Sequence, residues 1–485
     1  PLYETTVFKD FRVMTENVAK KYPDRIAISY KKDPRDTQTI DVTYTEARDY
    51  IRNMGTELIS MGCRDKHAAL IGESSYQWIC SYFSLMSIGS VVVPLDRDYP
   101  AEEISDIIMK AECDFVFYSA AIEEKIEQVK IKAPGVKTFI CMGNAAMKGA
   151  LDLSDIEARG KERYQQGDNA YYDYEIDPER LATIVFTSGT TRKGKGVMLS
   201  QKNIVSDMTQ GMYLFSISPK TMCLLPPHHT FGSTVNYVGH FAQGSTIYLS
   251  SGLKYIQNEM KEQQPSHLVL VPLFVETIYK KIWSTADKSG KTKALRMLIK
   301  VSNSLRKCGI DLRRKLFKSI LNSLGGKLEM IICGGAKLNQ EMIDTFEAFG
   351  ITILNGYGIT ECAPLISCNR NKYQKQGSVG VPIIGELVKI KDPDENGEGE
   401  ICVKGPNVML GYYKDPEATA EAFDEEGYFK TGDYGKLDDD GWIYITGRLK
   451  NLIILSNGKN VYPEEIENEI SGIFGVSECV VYEGE

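Results

Sequence analysis

The residues with the clearest chemical potential lie in a glycine- and hydroxyl-rich segment, SGTTRKGKG, at 188–196. Read from Gly189, it follows the order G-x-x-x-x-G-K of a phosphate-binding loop, in which backbone N–H groups and a lysine surround a polyphosphate. In nucleotide hydrolases this loop ends in Ser or Thr, whose hydroxyl ligates Mg²⁺, whereas this chain has Gly196 there. The segment therefore predicts a nucleotide site with Lys195 as its cation, and the magnesium ligand has to come from elsewhere.

Three later segments carry side chains that complete such a site. LNGYGITECAP follows an apolar run and places Tyr357, Thr360 and Glu361 on a glycine-marked turn. An aromatic ring can stack on a base, a hydroxyl can bind the α-phosphate, and a carboxylate can ligate Mg²⁺. TGDYG offers Asp433, whose two acceptor oxygens suit the two hydroxyls of a ribose, and GRLKN offers Arg448 for ribose or phosphate.

Apolar runs predict the elements that hold these segments. HAALIGE (67–73) and SVVVPLD (90–96) are typical of buried strands, and the helical pattern between them indicates parallel strand–helix–strand units. ATIVFTSGTT (182–191) is predicted to be a strand that runs into the phosphate loop. HLVLVP (267–272) is predicted to be a further buried strand.

Other stretches are less regular. Residues 144–180 are polar and are predicted to be loop-like. LRRKLFKSILNSLGG (312–326) predicts one helix that ends at its two glycines. Its Arg and Lys residues are expected to form a solvated face, with attraction to a membrane surface as the alternative. From Gly377 onward, short strands separated by an acidic turn at 392–398 predict a small β-rich unit.

Composition narrows the classes of partner. The net charge of −8 over 485 residues argues against a nucleic-acid partner. The 11 cysteines have no CxxC spacing, which indicates reduced thiols and a cytoplasmic protein. No apolar run is long enough for a membrane span, so only weak peripheral membrane contact is left open.

In this combination and order, the segments resemble the motifs of the adenylate-forming superfamily, which includes acyl-CoA synthetases, aryl-CoA ligases, peptide-synthetase adenylation domains and luciferases. The similarity covers nearly the whole chain and is greatest to the long-chain fatty acid–CoA ligase branch. The matching segments are GSVVVPLDRDYPAEEI (89–104), TSGTTRKGKGV (187–197), LPPHHTFG (225–232), ICGGAKL (332–338), YGITE (357–361), TGD (431–433) and GRLKNLIILSNGKNVYPEEIE (447–467).

The resemblance implies an α/β fold. Its large N-terminal domain (1–447) is expected to contain two parallel α/β subdomains plus a small β-barrel-like subdomain at about 377–447. The start of a small α+β C-terminal domain (451–485) follows a hinge at 448–450, centred on Lys450. This lid domain normally carries a second catalytic lysine, for which the sequence has no match. The given residues are therefore expected to lack most of the lid and to adenylate poorly by themselves.

The resemblance also implies roles for the site residues. The hydroxyl loop would surround the β- and γ-phosphates, and Tyr357 would enclose adenine against the strand at 334–336. The residues expected to bind ATP or AMP are Thr187, Ser188, Gly189, Thr190, Thr191, Gly334, Gly335, Ala336, Asn355, Gly356, Tyr357, Thr360, Asp433 and Arg448. Those expected to act in catalysis are Lys195, His229, Thr360 and Glu361, with Glu361 also the Mg²⁺ ligand.

Two positions depart from the family pattern in the loop, and a histidine pair is ambiguous. Arg192 and Gly194 stand where relatives usually carry Gly and Pro, and this change is expected to alter loop closure. The resemblance aligns His229 with a histidine that borders the acyl carboxylate. His228 is expected to be only a packed or exposed imidazole. In aryl-CoA ligases a Lys usually stands where this chain has Ile454.

The implied reaction has two steps. A medium- to long-chain fatty acid attacks ATP in the presence of Mg²⁺ to give acyl-AMP and pyrophosphate, and the thiol of CoA then displaces AMP. The alternatives are loading of an acyl carrier protein, activation of an aromatic acid, or an inactive protein that binds ATP or acyl-AMP. A P-loop hydrolase is the weakest alternative because of Gly196.

Overall fold

The computed structural model describes residues 2–187, 194–217, 219–336, 338–451, 453–454, 460–463, 466–467, 470, 476 and 479–482. Four of the residues predicted to bind the phosphates, Ser188, Gly189, Thr190 and Thr191, lie outside the described part of the chain, as does the variant position Arg192.

The strands, in chain order, are β1 (Ile26–Tyr30), β2 (Ile40–Thr43), β3 (His67–Ile71), β4 (Val91–Leu95), β5 (Phe115–Tyr118), β6 (Thr138–Cys141), β7 (Leu151–Asp152), β8 (Leu181–Phe186), β9 (Gly196–Ser200), β10 (Lys220–Cys223), β11 (Thr246–Leu249), β12 (His267–Leu270), β13 (Met330–Cys333), β14 (Thr352–Gly358), β15 (Leu365–Cys368), β16 (Val381–Pro382), β17 (Leu387–Lys391), β18 (Gly399–Lys404), β19 (Gly411–Tyr412), β20 (Phe429–Leu437), β21 (Ile443–Arg448), β22 (Ile453–Ile454) and β23 (Asn460–Val461).

The α-helices are α1 (Phe11–Lys21), α2 (Tyr44–Ser60), α3 (Tyr76–Ser87), α4 (Ala101–Lys110), α5 (Glu123–Lys132), α6 (Leu153–Gln165), α7 (Ala170–Asp173), α8 (Gln201–Gly211), α9 (His240–Ala242), α10 (Ile256–Gln263), α11 (Pro272–Lys288), α12 (Thr292–Lys307), α13 (Arg313–Leu316), α14 (Lys318–Ser323), α15 (Gln340–Phe349) and α16 (Pro416–Ala422). A π-helix spans Phe231–Gly239, and short 3₁₀ turns span Ala120–Ile122, Thr360–Cys362 and Leu449–Asn451.

Two large, mainly parallel sheets form the framework. Among the described residues, the first has nine strands in the order β16-β15-β14-β13-β12-β10-β11-β1-β2, and the second has eight in the order β19-β9-β8-β4-β3-β5-β6-β7. One hydrophobic core lies between the sheets and draws alternate residues from both, such as Leu70 and Val269. Separate cores cover the opposite faces. The predicted α/β fold with parallel subdomains is confirmed.

The strand–helix–strand unit predicted near the N-terminus is present. β3 and β4 are parallel neighbours, with His67 in register with Val91. The connecting helix α3 begins after Ser75, whose hydroxyl accepts a hydrogen bond from the Trp78 N–H. The helix is apolar on nearly all sides because it is buried within the core between the sheets.

The prediction of loop structure across residues 144–180 is wrong. Helix α6 occupies much of this stretch and packs closely on α2, where Gly160 meets the backbone of Asn53. The hydrophobic periodicity of α6 is weak in the sequence because only a narrow face of the helix is buried, at Leu153, Ile156 and Gly160. The remaining surface is polar, and Arg163 pairs with Glu57 at 2.6 Å.

The helix predicted across residues 312–326 is broken in two. α13 ends where Phe317 leaves the helical conformation, and α14 follows at once. Phe317 is buried with its ring centroid 4.9 Å from that of Phe349, so core packing overrides continuity of the helix. The stop at Gly325 and Gly326 is confirmed, since both have positive φ.

The β-rich unit is a four-stranded antiparallel sheet in the order β17-β18-β20-β21. The acidic turn at 392–398 joins β17 to β18, as predicted. Within the described residues this sheet has two edges and is open, although the resemblance implied a barrel-like form.

All 11 cysteines are free thiols. Among the described helices, none combines the length and the apolar character needed to cross a bilayer.

The close contact between α2 and α6 predicts that Gly160→Ala destabilises the protein. An added Cβ would lie 1.8 Å from the Asn53 carbonyl oxygen, so the helices must separate. We expect urea denaturation to show a loss of about 2 kcal/mol in the free energy of unfolding. The exposed neighbour serves as the control, and Lys161→Ala should leave the midpoint nearly unchanged. Equal midpoints for both variants would contradict the prediction.

Candidate active site

The phosphate-loop segment connects two antiparallel strands, β8 and β9. The Thr187 N–H donates to the Lys195 carbonyl at 3.1 Å and closes the base of the loop. A Walker-type loop instead runs from a strand into a helix. The geometry therefore rules against the P-loop hydrolase alternative. Gly196 is the first residue of strand β9, and it does not occupy the metal-ligand position of a Walker loop.

Gly194 suits the conformation of this loop. A Cβ at this position would lie 2.3 Å from the Thr187 carbonyl oxygen, so a side chain would push the base of the loop open. The Gly194 carbonyl also accepts a hydrogen bond from Lys110 at 3.3 Å. The departure from the family pattern at this position therefore has a local structural reason.

Lys195 and Glu361 meet the same tyrosine from two sides. The Lys195 ammonium lies 4.5 Å from the centre of the Tyr412 ring. The Tyr412 hydroxyl donates to Glu361 Oε1 at 2.9 Å. Burial, and then the Glu361 carboxylate, raise the pKa of Tyr412, so its hydroxyl stays a donor. Sequence reasoning missed Tyr412; the signal was the GYY run at 411–413, which lies between the predicted YGITE and TGD segments.

Asp433 and Arg448 reach the same region from the small sheet. They face each other on β20 and β21, and the Arg448 Nε lies 3.4 Å from Asp433 Oδ1. The Tyr357 hydroxyl donates to Asp433 Oδ2 at 2.6 Å. Burial, and then Asp433, raise the pKa of Tyr357. The predicted turn position of Tyr357 is wrong, because it lies within β14 and is buried.

Thr360 and Glu361 form the short 3₁₀ turn that follows β14. The Glu361 carbonyl accepts from the Met409 N–H at 2.8 Å. In the described part of the chain, Glu361 Oε2 has no hydrogen-bond donor, and no group of three His, Cys, Asp or Glu residues could hold a metal. One free carboxylate oxygen fits Mg²⁺, which is commonly bound by one or two carboxylates together with substrate phosphates.

The strand ends predicted to enclose adenine lie side by side. Cys333 and Asn355 are in register on β13 and β14. A Cβ added to Gly334 would lie 3.2 Å from the Phe231 ring and 3.4 Å from the Gly356 carbonyl oxygen. Gly335 and Ala336, which continue the segment, are exposed. The segment that carries the histidine pair therefore meets the first of the two adenine segments at Gly334, which itself lies against Gly356.

The two histidines differ in their surroundings. His229 is exposed, and its carbonyl accepts from the N–H and the hydroxyl of Ser233 at 2.8 and 3.1 Å as the π-helix begins. The ring of His228 lies 3.5 Å from Asp96 Oδ2, but burial and the adjacent His229 lower the pKa of His228 to about 4. His228 is therefore neutral at pH 7, and its contact with Asp96 is not an ion pair. Although part of His229 is open to solvent, neighbouring groups partly desolvate its ring and lower its pKa.

A cavity of about 640 Å³ opens beside His228, at the carboxyl ends of strands from both sheets. Its lining includes Glu73, Ser74, Asp96, Arg97, His228 and Ser250. Lys195, Tyr357, Glu361 and Asp433 are not part of the lining, so the cavity is separate from the cluster around Tyr412. Sequence reasoning did not single out Glu73 and Arg97, which pair at 3.1 Å, although Glu73 ends one predicted strand run and Arg97 directly follows another.

A buried polar cluster stabilises the turn that carries Glu361. The Asn407 amide donates to the carbonyls of Cys362 and Leu365 at 3.0 and 2.8 Å, which fixes its orientation. Its oxygen and both carboxylate oxygens of Glu386 are buried without a hydrogen-bond partner among the described atoms. Burial raises the pKa of Glu386 to about 8, so a protonated Glu386 can donate to Asn407. Asp207 accepts from the Leu365 N–H at 2.8 Å.

Comparisons with known protein sequences and structures point to one family. The AMP-binding enzyme family matches residues 15–413. The long-chain-fatty-acid–CoA ligase 5 of Rattus norvegicus is 31% identical over 467 residues, which cover 89% of this chain and 67% of that protein. ATP-bound MatB from Rhodopseudomonas palustris has a TM-score of 0.75 at 26% identity, over 98% of this chain and 85% of that one. The adenylation domain of a Mycobacterium chelonae carboxylate reductase shares the fold, with a TM-score of 0.80 at 22% identity over 98% and 77% of the chains.

The raised pKa of Glu386 predicts how stability changes with pH. Between the usual pKa of 4.5 and the folded value of about 8, only the folded state keeps this proton. Raising the pH through this window therefore lowers the free energy of unfolding, by up to about 1.4 kcal/mol per pH unit. Glu386→Gln should flatten that dependence and stabilise the protein at pH 8, as measured by urea denaturation.

The control for this variant is Glu395→Gln, because Glu395 is exposed in the turn that joins β17 to β18. It should retain the wild-type dependence on pH. A Glu386→Gln protein with the wild-type slope would show that Glu386 ionises equally in both states.

Proposed function

Because the chain belongs to the AMP-binding enzyme family, we propose that it activates a medium- to long-chain fatty acid with ATP and transfers the acyl group to CoA. The chain is an acid–thiol ligase of the adenylate-forming class. Acyl-AMP and pyrophosphate are the products of the first step, and acyl-CoA and AMP are those of the second. The observation that carries the proposal is the convergence of Lys195 and Glu361 on Tyr412, beside the linked Tyr357, Asp433 and Arg448.

The charges of this cluster suit the first step. A carboxylate and a triphosphate repel each other, and negative charge builds up on the phosphate oxygens as the bond forms. Lys195 and the loop N–H groups stabilise the phosphate oxygens of ATP, and Thr360 binds the α-phosphate. Glu361 would hold Mg²⁺, which supplies further charge neutralisation.

The remaining residues orient the substrates. Asp433 has two carboxylate oxygens that can accept from the ribose hydroxyls, and Arg448 pairs with one of them at 3.4 Å. Gly334 and Gly356 bring backbone close enough for a flat base to lie against it. His229 is exposed and neutral at pH 7, so one ring N–H can donate to the acyl carboxylate. Lys450, which is exposed two residues after Arg448, would be the hinge of the lid.

The proposal of a fatty acid and CoA as substrates rests on the names of similar proteins. The curated relative from Rattus norvegicus is named a long-chain-fatty-acid–CoA ligase, and this chain spans about two thirds of its length. The cavity beside His228 is large enough for part of a long substrate. Loading of an acyl carrier protein and activation of an aromatic acid are the competing outcomes, and an inactive nucleotide-binding protein is the non-enzymatic one.

An exchange assay tests this proposal on the complete gene product. ATP–pyrophosphate exchange is measured with palmitate, octanoate or benzoate, and the acceptor step with CoA or an acyl carrier protein. We expect exchange that depends on palmitate or octanoate and thioester formation with CoA. Exchange with benzoate alone would indicate that the substrate is an aromatic acid. Transfer to the carrier protein alone would indicate that this protein, and not CoA, is the acceptor. ATP binding without exchange for any acid would indicate an inactive binder.

Glu361→Gln should impair adenylation strongly. The amide keeps an oxygen for the Tyr412 hydroxyl but loses the negative charge needed for Mg²⁺. We expect Mg²⁺-dependent exchange to fall about 100-fold or more. Glu329→Gln, at an exposed position before β13, is the matched control and should leave exchange unchanged. Wild-type exchange by the Glu361 variant would remove this residue from the metal role.

We further propose that helix α12 contacts an anionic membrane surface, where a fatty acid substrate would be concentrated. Residues 272–327 contain 14 Lys and Arg and 3 Asp and Glu, although the whole chain has a net charge of −8. Exposed positions on α12 alternate cations with apolar side chains, including Arg296 beside Met297 and Lys300 beside Val301. This mixture suits the interface of a bilayer with anionic headgroups.

Vesicle binding tests the membrane contact. Reversing three charges in Lys293→Glu/Arg296→Glu/Lys300→Glu should weaken binding to vesicles containing phosphatidylglycerol by about 100-fold, because each cation near an anionic surface contributes about 1 kcal/mol. The control triple variant, Lys132→Glu/Lys148→Glu/Lys161→Glu, makes the same change at exposed lysines of other elements. Equal loss in both variants would indicate a net-charge effect and contradict a specific face.

A further inference from the structure

We propose that Tyr412 is a positioning residue that holds Lys195 and Glu361 apart and orients both toward the nucleotide. The inference rests on the proposed function, since it assigns phosphate binding to Lys195 and Mg²⁺ binding to Glu361. Tyr412 itself touches neither substrate in this view. It acts through the two charged groups that contact its ring and its hydroxyl.

The two contacts of Tyr412 differ in kind. The Lys195 ammonium lies over the ring at 4.5 Å from its centre, within the range of a cation–π interaction. The hydroxyl, at the far end of the same ring, donates to Glu361 Oε1 at 2.9 Å. One rigid side chain with two χ angles therefore fixes the relative positions of a cation and an anion that come from segments 166 residues apart in the sequence.

The position of the ring prevents a direct ion pair. Over the described residues, Lys195 makes no salt bridge, and neither does Glu361. A lysine and a glutamate close together in a partly buried site would otherwise neutralise each other and withdraw the charges that a polyphosphate and a cation need. Tyr412 gives each group a partner that is weaker than its substrate. Both groups therefore remain available for the substrates.

The backbone around Tyr412 is itself firmly held. Tyr412 is in register with Val197 on the antiparallel pair β9 and β19. This position is close to the start of β9, which directly follows Lys195. Its N–H donates to the Thr419 hydroxyl at 2.9 Å, and the preceding Gly411 packs against the same threonine. The Met409 N–H, three residues earlier, donates to the Glu361 carbonyl at 2.8 Å. Segment 409–412 therefore holds both the backbone and the side chain of Glu361.

The neighbouring residue provides a matched control. The Tyr413 hydroxyl donates to Glu112 at 3.2 Å near the surface, and its backbone shares the pairing with β9. Tyr413→Phe therefore removes a tyrosine hydroxyl bound to a glutamate without touching Lys195 or Glu361. Tyr412→Phe removes only the hydroxyl that orients Glu361 and keeps the ring beneath Lys195.

The test is acid-dependent ATP–pyrophosphate exchange by the complete gene product as a function of Mg²⁺ concentration. For Tyr412→Phe we expect a kcat about tenfold lower at moderate Mg²⁺, a higher half-saturating Mg²⁺ concentration, and little change in the KM for ATP, because a hydrogen bond to a charged group is lost. High Mg²⁺ should partly restore its rate. Tyr412→Leu should lose more activity and should not recover, because Lys195 is then free to pair with Glu361. Tyr413→Phe should match the wild type in all three quantities.

The outcomes separate the two proposals. If the wild type shows no exchange with any acid, the proposed function fails. If the wild type is active and Tyr412→Phe keeps the wild-type dependence on Mg²⁺, the positioning role is overturned. Thermal unfolding is recorded for every variant, and a lower Tm with unchanged Mg²⁺ half-saturation would make Tyr412 merely structural and would equally overturn the proposal. Should Tyr412→Leu fail to fold, Tyr412→Phe decides.

Discussion

The hydrogen bond from Tyr357 to Asp433 is the interaction on which the assembled site depends. It joins strand β14 of the larger sheet to β20 of the small antiparallel sheet, between residues 76 positions apart. Both groups are buried, so the short bond of 2.6 Å satisfies a carboxylate oxygen that would otherwise be costly to remove from water. Because Arg448 pairs with the other oxygen of Asp433, the same carboxylate also fixes the end of β21, where the predicted hinge begins.

A second constraint is the placement of opposite charges near each other without neutralisation. In the proposed function, Lys195 and Glu361 have to remain charged and unpaired to serve a nucleotide and a metal ion. Two tyrosines from different segments provide the hydroxyls that orient the carboxylates, Tyr357 for Asp433 and Tyr412 for Glu361. A phenol hydroxyl whose pKa is raised by burial stays a donor at neutral pH, so it orients a carboxylate without changing its charge.

The polar cluster behind Glu361 shows how far this support extends. Asn407 holds two carbonyls of the turn that follows Glu361, and Asp207 holds the Leu365 N–H. Glu386 completes the cluster as a buried carboxyl with a raised pKa. These residues come from α8, the segment before β17 and the segment before β19. The turn that carries Glu361 is therefore stabilised by several parts of the fold at once.

The amino-acid sequence by itself determined the parallel strands, the apolar helix α3, the nucleotide-site segments and their order along the chain, because strand runs, glycine turns and charged side chains are local patterns. It did not determine the course of α6 or the break at Phe317, since a narrow buried face and contact with Phe349 are set by packing. Tyr412, the cluster around Glu386 and the cavity beside His228 also became visible only in the folded chain. Their members are far apart in sequence, and only tertiary packing decides which hydroxyl meets which carboxylate and which carboxyl is buried deeply enough to keep its proton.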